Sequence, residues 1–178
     1  MKVVCFGDSN TYGYDPRSWL GGRYPADSRW VDLLAQKTGW DVVNLGENGQ
    51  CIPLRPITLP ADTDLVIVML GTNDLLQGCT PEKTADRMKR FLQSLSLAPE
   101  RILLVAPPPM VPGEWVTDPS LMESSRLLAG YYRELAGQLG IRFADAGGWH
   151  ITLAYDGVHF TGQGHRAFAE NLAQEVCR

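Results

Sequence analysis

The fold is decided by the stretch Lys2-Val3-Val4-Cys5-Phe6-Gly7-Asp8-Ser9-Asn10, which also limits the functions that the site can have. Its apolar part, residues 2–6, is rich in β-branched side chains and does not alternate with polar residues. Such a run is typical of a parallel strand that is buried on both faces. The glycine that follows ends the strand, and the turn presents the Ser9 hydroxyl at the end of a sheet. This hydroxyl could be a nucleophile, or the loop could hold a phosphate, and the rest of the chain has to decide.

The composition is that of an ordinary globular protein. The chain has 178 residues, of which 44% are hydrophobic and 20% are charged. This length predicts one domain, residues 1–178, with a sizeable core. The net charge is -4 and the pI is about 5.3, without a basic run. We therefore expect no nucleic-acid partner and no anionic membrane surface as a target.

The cysteines and the first residues predict a cytoplasmic location. The four cysteines, at positions 5, 51, 79 and 177, form no C-x-x-C pair. Cys5 lies in the predicted core strand, where a small buried thiol is the expected role. The apolar run after Lys2 is too short for a secretory signal peptide, and no run is long enough to span a membrane. Free thiols in a reducing compartment follow from these features.

The remaining chain alternates between apolar strands and amphipathic helices. The predicted strands cover residues 2–6, 41–45, 64–70, 101–106 and 141–145. The predicted helices cover residues 29–38, 81–95 and 121–139, and a last one starts at Thr161. Ser28 and Thr80 are the predicted N-caps of the first two helices. This alternation predicts a parallel sheet with helices on both faces.

Polar and glycine-rich segments follow the predicted strands at their carboxyl ends. They are Gly7–Ser9, Gly46–Gly49, Gly71–Asp74, Pro107–Pro109 and the loop before the last helix. In open parallel sheets, ligands bind beyond the carboxyl ends of the strands. We therefore expect these five segments to surround one site.

Acyl transfer by Ser9 needs a base, and the sequence has three histidines. His159 lies in the loop before the last helix, three residues after Asp156, so a turn would let the carboxylate bind Nδ1 and leave Nε2 for Ser9. His165 lies inside the helix and is predicted to be a surface or packing residue. His150 follows Trp149 in a loop and is the weaker candidate for the base.

Three groups on the same rim can donate hydrogen bonds to an oxyanion. They are the backbone N–H of Ser9, the backbone N–H of Gly49 and the side-chain amide of Asn73. Each of these residues taken alone is typical of a turn. Their common position at strand ends favours the catalytic interpretation.

These residues together resemble the sequence blocks of the SGNH hydrolases, the GDSL esterase/lipase family. The blocks are Gly7-Asp8-Ser9-Asn10, Gly49, Gly71-Thr72-Asn73-Asp74 and Asp156-x-x-His159, in this order along nearly the whole chain. The stretches around residues 5–9, 29–30, 69–74, 106–109 and 156–161 are similar to the small arylesterase and acyltransferase branch.

The resemblance implies a flavodoxin-like three-layer α/β/α sandwich around a five-stranded parallel sheet. It also implies a role for each residue: Ser9 as nucleophile, His159 as base, Asp156 as the residue that orients His159, and Ser9, Gly49 and Asn73 as the oxyanion hole. Asp8 and Asp74 would brace their loops. Neither a metal nor a cofactor is implied.

Two departures from the family pattern concern the nucleophile turn and the pocket. Position 10 is Asn, where the name of the family has Leu. The segment between Gly49 and the third strand is shorter than in the arylesterases, in which it shapes the pocket and the contacts between subunits. Acyl-chain preference and homo-oligomerisation therefore stay open.

The sequence thus predicts a serine esterase for small acyl esters, acting by hydrolysis or by transfer through an acyl-enzyme. Tyr12, Tyr14, Trp115 and Pro108, in the Pro107–Pro109 turn, are the predicted pocket walls. A thioesterase or lysophospholipase of the same family is the nearest alternative. A flavodoxin-like module that binds phosphate or flavin at the Ser9 loop is the more distant one, and it gives no role to Asp156, His159 or Asn73.

Overall fold

The computed structural model describes residues 1–18 and 20–177, and a five-stranded parallel sheet forms its centre. The strands are β1 (Lys2–Gly7), β2 (Asp41–Gly46), β3 (Leu65–Met69), β4 (Ile102–Ala106) and β5 (Arg142–Asp145). Their order across the sheet is β2-β1-β3-β4-β5, and every neighbouring pair is parallel. The predicted fold class is confirmed.

Helices cover both faces of the sheet, as parallel strands require. They are α1 (Ser9–Tyr12), α2 (Trp30–Thr38), α3 (Thr72–Leu76), α4 (Pro81–Ser94), α5 (Pro119–Leu139) and α6 (Gly162–Val176). Short 3₁₀ turns occupy Ala26–Ser28, Pro99–Arg101 and Ala146–Gly148. In the part of the chain that is described, no helix combines the length and the apolar character needed to cross a membrane.

Alternate residues of the strands build two separate cores. Val4 and Phe6 of β1 belong to the core under α4 and α5, with Tyr132 of α5 fully buried in it. Val3 and Cys5 point to the other face and belong to the core under α2 and α6. This division follows from the two-residue period of a strand.

The structure corrects one predicted helix cap. Ser28 lies within the preceding 3₁₀ turn, so Arg29 and not Ser28 occupies the N-cap position of α2. The side chain of Arg29 makes no capping bond. The backbone N–H of Trp30 instead donates to Nδ1 of His165, at 3.4 Å. The predicted cap Thr80 is confirmed, because its hydroxyl accepts from the backbone N–H of Lys83.

The short helix α1 directly follows Asp8. This helix lies tightly against the ends of β1 and β2. A Cβ atom at Gly7 would overlap Thr11, and a Cβ atom at Gly46 would overlap the backbone of Tyr12. Glycine at both strand ends therefore lets α1 reach the carboxyl edge of the sheet.

Candidate active site

Ser9 is the first residue of α1 and stands directly beyond the end of β1. Asp8 caps the helix, and its Oδ1 accepts from the backbone N–H of Asn10 at 3.0 Å. The Ser9 side chain is almost buried, with 7% of the residue exposed. The strand end and the cap together hold the hydroxyl at the carboxyl edge of the sheet.

The loop before α6 brings a histidine and a carboxylate to this hydroxyl. The distance from Asp156 Oδ2 to His159 Nδ1 is 2.7 Å, and the distance from His159 Nε2 to Ser9 Oγ is 2.9 Å. The other carboxylate oxygen of Asp156 accepts from the backbone N–H groups of Val158 and His159, both at 2.9 Å. The three side chains form one continuous hydrogen-bonded chain.

The hydrogen bonds to Asp156 decide its ionisation. Burial alone would raise the pKa of this carboxyl group. The hydrogen bonds from His159 and Val158 outweigh burial, so that the pKa lies below its ordinary value. An ionised carboxylate can only accept hydrogen bonds, so Nδ1 of His159 carries the proton and Nε2 is free to accept from Ser9.

Ser9 and His159 open into a cleft of about 250 Å³. The residues that line it are Ser9, Tyr14, Asn48, Gly49, Asn73, Trp115 and His159. The predicted oxyanion donors Gly49 and Asn73 are thus brought to the same cleft as Ser9. Gly49 has a φ of 74°, a left-handed conformation that favours glycine.

The side chain of Asn73 connects α3 to the loop that carries Gly49. Its Nδ2 donates to the backbone carbonyl of Gln50 at 3.1 Å. A primary amide has two N–H groups, so this bond uses one and leaves the other for an acceptor in the cleft. The amide is therefore held in place by the loop that supplies the neighbouring donor.

Asp74 connects the segments around the predicted oxyanion donors. It is fully buried, its Oδ2 accepts from the backbone N–H of Ile52 at 3.0 Å, and its Oδ1 pairs with Arg87 of α4 at 2.9 Å. A buried carboxylate with both oxygens partnered is held firmly in one orientation. Asp74 therefore braces α3 against the loop before β3 and against α4.

Asp8 differs from Asp74 because it has no cationic side chain against it in the described residues. Burial raises the pKa of Asp8 to about 6, and the hydrogen bond from the backbone of Asn10 opposes this shift only in part. The Asp8 carboxyl group therefore changes its charge in weakly acidic solution, directly beside Ser9.

Two of the four predicted pocket residues reach the cleft. The ring centres of Tyr14 and Trp115 lie 4.7 and 5.0 Å from that of His159. Tyr12 and Pro108 do not line the cleft. The Tyr12 ring is turned instead to the guanidinium group of Arg23, whose central carbon lies 4.3 Å from the ring centre. Pro108 is half-buried beyond the end of β4.

The other two histidines lie apart from the cleft. His150 is exposed and has a left-handed φ of 52°. His165 is completely buried, and its ring contacts those of Tyr24 and Phe160. It is therefore a packing residue, which was one of the two roles predicted for it.

Two residues near the site were missed by the sequence interpretation. Asn48 lines the cleft beside Gly49, and its place in the same rim loop was the available signal. Asn10 makes two hydrogen bonds to the His159 loop, and its position next to Ser9 gave no hint of them. Among the residues that are described, His, Cys, Asp and Glu form no group of three or more that could hold a metal ion.

The comparisons with known proteins agree with this fold. Residues 5–167 match the model of the GDSL-like Lipase/Acylhydrolase family. The chain belongs to this family, and it is a carboxylic ester hydrolase. Family membership favours an enzyme over the flavin-binding alternative. No curated protein sequence matches the chain significantly.

Solved structures of esterases are similar over nearly the whole chain. A carbohydrate acetylesterase from Sinorhizobium meliloti is 27% identical, with a TM-score of 0.82, and the match covers 99% of this chain and 98% of that one. The aryl esterase of M. smegmatis is 29% identical, with a TM-score of 0.83 and the same coverage.

Proposed function

We propose that the protein is a serine esterase that uses Ser9, His159 and Asp156 to cleave small acyl esters through an acyl-enzyme. One observation carries the proposal: His159 is hydrogen-bonded at both ring nitrogens, to Asp156 at 2.7 Å and to Ser9 at 2.9 Å. A neutral imidazole held in this way accepts the serine proton at the moment of attack.

In the first half of the reaction, Ser9 Oγ attacks the acyl carbon and His159 Nε2 takes the hydroxyl proton. The carbonyl oxygen becomes an oxyanion. Collapse of the tetrahedral intermediate breaks the bond to the alcohol oxygen, and His159 returns the proton to the departing alcohol. Asp156, with its lowered pKa, remains ionised and stabilises the imidazolium.

The oxyanion is stabilised by three hydrogen-bond donors, which lie on helices α1 and α3 and on the loop that contains Gly49. They are the Ser9 and Gly49 backbone N–H groups and the second amide N–H of Asn73, whose first is bound to the carbonyl of Gln50. Donors that are fixed before the reaction need no reorganisation, and each is worth roughly 3 kcal/mol of the barrier.

In the second half, water or an alcohol attacks the ester of Ser9. His159 again takes the proton of the attacking oxygen and gives it to Ser9 Oγ as the acyl group leaves. Hydrolysis and transfer therefore differ only in which acceptor occupies the cleft.

The dimensions of the cleft favour a short acyl group on a ring-shaped alcohol. A volume of about 250 Å³ holds an acetyl or similar group with part of its alcohol. The rings of Tyr14 and Trp115 line the cleft beside His159, with ring centres 4.7 and 5.0 Å from that of the imidazole. Aryl and sugar acetates fit these walls. The two similar esterases are named for substrates of these kinds.

Replacement of Ser9 tests the proposal. Ser9→Ala removes the nucleophile without a change in packing, so kcat for 4-nitrophenyl acetate should fall by roughly 10⁵-fold or more, with an unchanged melting temperature. Ser94→Ala is the matched control, because its hydroxyl only donates to the carbonyl of Phe91 within α4. An organophosphate should transfer its phosphoryl group to Ser9 Oγ and release its leaving group, so the peptide that contains Ser9 should gain the mass of that phosphoryl group less one proton. Unaltered turnover by Ser9→Ala would refute the mechanism.

A further inference from the structure

Asn10 joins the helix of the nucleophile to the loop of the base. Its side-chain Nδ2 donates to the backbone carbonyl of Val158 at 3.1 Å, and its Oδ1 accepts from the backbone N–H of Phe160 at 2.8 Å. These two groups belong to the residues on either side of His159. One carboxamide therefore brackets His159, and the same residue follows Ser9 directly in the chain.

The carbonyl of Val158 and the N–H of Phe160 flank His159 in the chain, and both bond to the one carboxamide of Asn10. Two bonds from one planar group fix the distance and the rotation of His159 relative to α1 more firmly than a single bond does.

The loop itself does not provide this connection. Inside the loop, Asp156 accepts from the N–H groups of Val158 and His159, and the N–H of Ala154 donates to the carbonyl of His159. These bonds shape the loop without reaching α1, and the loop's bonds to residues 111–115 and to the carbonyl of Pro16 also end outside α1. Within the described residues, the hydrogen bonds between the Ser9–Tyr12 helix and this loop are those of Asn10 and that of Ser9 to His159.

The backbone of Asn10 is anchored as firmly as its side chain. Its N–H donates to Oδ1 of Asp8, and its carbonyl accepts from Nε1 of Trp30 at 2.9 Å. Only 5% of the residue is exposed. A buried carboxamide that is bonded through both its nitrogen and its oxygen is held in one orientation, so it couples the position of the loop to that of α1.

We infer that Asn10 is a positioning residue, which holds Nε2 of His159 in register with Oγ of Ser9. The inference rests on the proposed function, because it concerns the same nucleophile and base. Leu, which stands at this position in the family name, has neither a donor nor an acceptor. This chain therefore aligns its base with two hydrogen bonds that a leucine cannot make.

Substitution of Asn10 tests the inference. Asn10→Leu keeps the size of the side chain and loses both bonds, and Asn10→Asp loses the donor to Val158. Because a displacement of about 1 Å between reacting groups can cost 10²-fold in rate, we expect kcat for 4-nitrophenyl acetate to fall by roughly 10- to 100-fold. KM should change by less than about threefold, since Asn10 does not line the cleft. Inactivation by an organophosphate should slow by the same factor as kcat.

Leu92→Ala separates positioning from stability. Leu92 of α4 is buried in the core beside Ile102, the first residue of β4, so the gap that this substitution leaves lies at the edge of the sheet opposite to the site. We expect it to lower the melting temperature at least as far as Asn10→Leu does, with kcat within about twofold of wild type at 25 °C.

The outcomes distinguish this inference from the proposed function. If Asn10→Leu and Asn10→Asp retain the wild-type kcat while Ser9→Ala is inactive, the positioning role is wrong and the mechanism stands. If Ser9→Ala is active, the mechanism itself fails. Should Asn10→Leu not fold, Asn10→Asp decides alone, because it keeps the size of the side chain and the acceptor for Phe160.

Discussion

His159 and His165 lie six residues apart and are both buried, yet their surroundings are opposite in kind. The ring of His159 has a carboxylate at one nitrogen and a serine hydroxyl at the other. The ring of His165 has one long bond of 3.4 Å from the N–H of Trp30, and its Nε2 has no hydrogen-bond partner among the described residues. One site is built from polar groups and the other from aromatic rings.

The difference shows what a buried histidine needs if it is to work as a base. Burial disfavours the imidazolium, and with Arg29 nearby it lowers the pKa of His165 to about 3. His165 is thus held neutral at physiological pH. A base must take up a proton during the reaction, and in the proposed mechanism the ionised Asp156 beside His159 stabilises the charge that then forms. Burial alone therefore makes a packing residue, and the carboxylate provides the chemistry.

Substitution of each histidine separately should produce the largest difference in kcat. His159→Ala removes the proposed base, so kcat for 4-nitrophenyl acetate should fall by roughly 10⁵-fold. His165→Phe retains an aromatic ring among Tyr24 and Phe160, and its kcat should stay within about threefold of wild type. Steady-state kinetics on both variants, with melting temperatures to establish that each is folded, provide the check. Comparable losses in the two variants would contradict the assignment of the base.

Removal of the charge from Asp156 should make the surroundings of His159 more like those of His165. Asp156→Asn keeps the shape, but an amide that donates to Nδ1 stabilises the tautomer in which Nε2 carries the proton and cannot accept from Ser9. Loss of the correct tautomer costs on the order of 10⁴-fold in kcat. The same kinetic assay measures this loss, and KM should change little.

Asp145→Asn is the matched control for this substitution. Asp145 also caps a short turn before a loop. Its Oδ1 accepts from the N–H of Gly147 and its Oδ2 from Arg133, so neither oxygen bonds to His159. Its activity should equal that of wild type. A wild-type rate in Asp156→Asn would show that His159 needs no carboxylate, and the contrast with His165 would lose its explanation.

The sheet could be predicted because its strands are continuous apolar runs. Leu65–Met69 and Ile102–Ala106 are buried at every position, and each ends at glycine or proline, which marks the carboxyl edge. The N-cap of α2 could not be predicted, because the group that meets the N–H of Trp30 is His165, more than a hundred residues away in the chain. A sequence pattern identifies a helix cap only when the capping group is close to the helix in the chain.

The same distinction applies to the site. Ser9, Gly49, Asn73 and His159 each follow a strand or precede a helix, so topology alone predicted that they meet. The directions of side chains were harder, and Tyr12 points to Arg23 although it lies one helical turn from Ser9. The bonds from Asn10 to the His159 loop depend on a loop conformation that no sequence pattern expresses.

The smallest expected effect is on the free energy of unfolding, which should depend on pH because buried His165 resists protonation. The folded pKa of about 3 lies below the ordinary value of 6.5. Above pH 6.5 both the folded and the unfolded states are neutral at this residue, so it adds no pH dependence. Between about 6.5 and 3, the unfolded state binds the proton and the folded state does not. Wild type should therefore lose stability as the pH falls, by at most about 1.4 kcal/mol per pH unit.

His165→Phe should lack this loss. Guanidinium unfolding of both proteins at a series of pH values from 8 to 4.5 measures the difference in the free energy of unfolding, which should shift in favour of the variant by about 2–3 kcal/mol over that range. Trp30→Phe keeps both the titrating ring and the backbone N–H that donates to it, so its difference from wild type should not change with pH. A constant difference between His165→Phe and wild type would mean that the buried ring takes up a proton as readily as in the unfolded chain. His165 would then bind a proton while buried, although no carboxylate is bonded to its ring. The carboxylate beside His159 would no longer explain the difference between the two histidines.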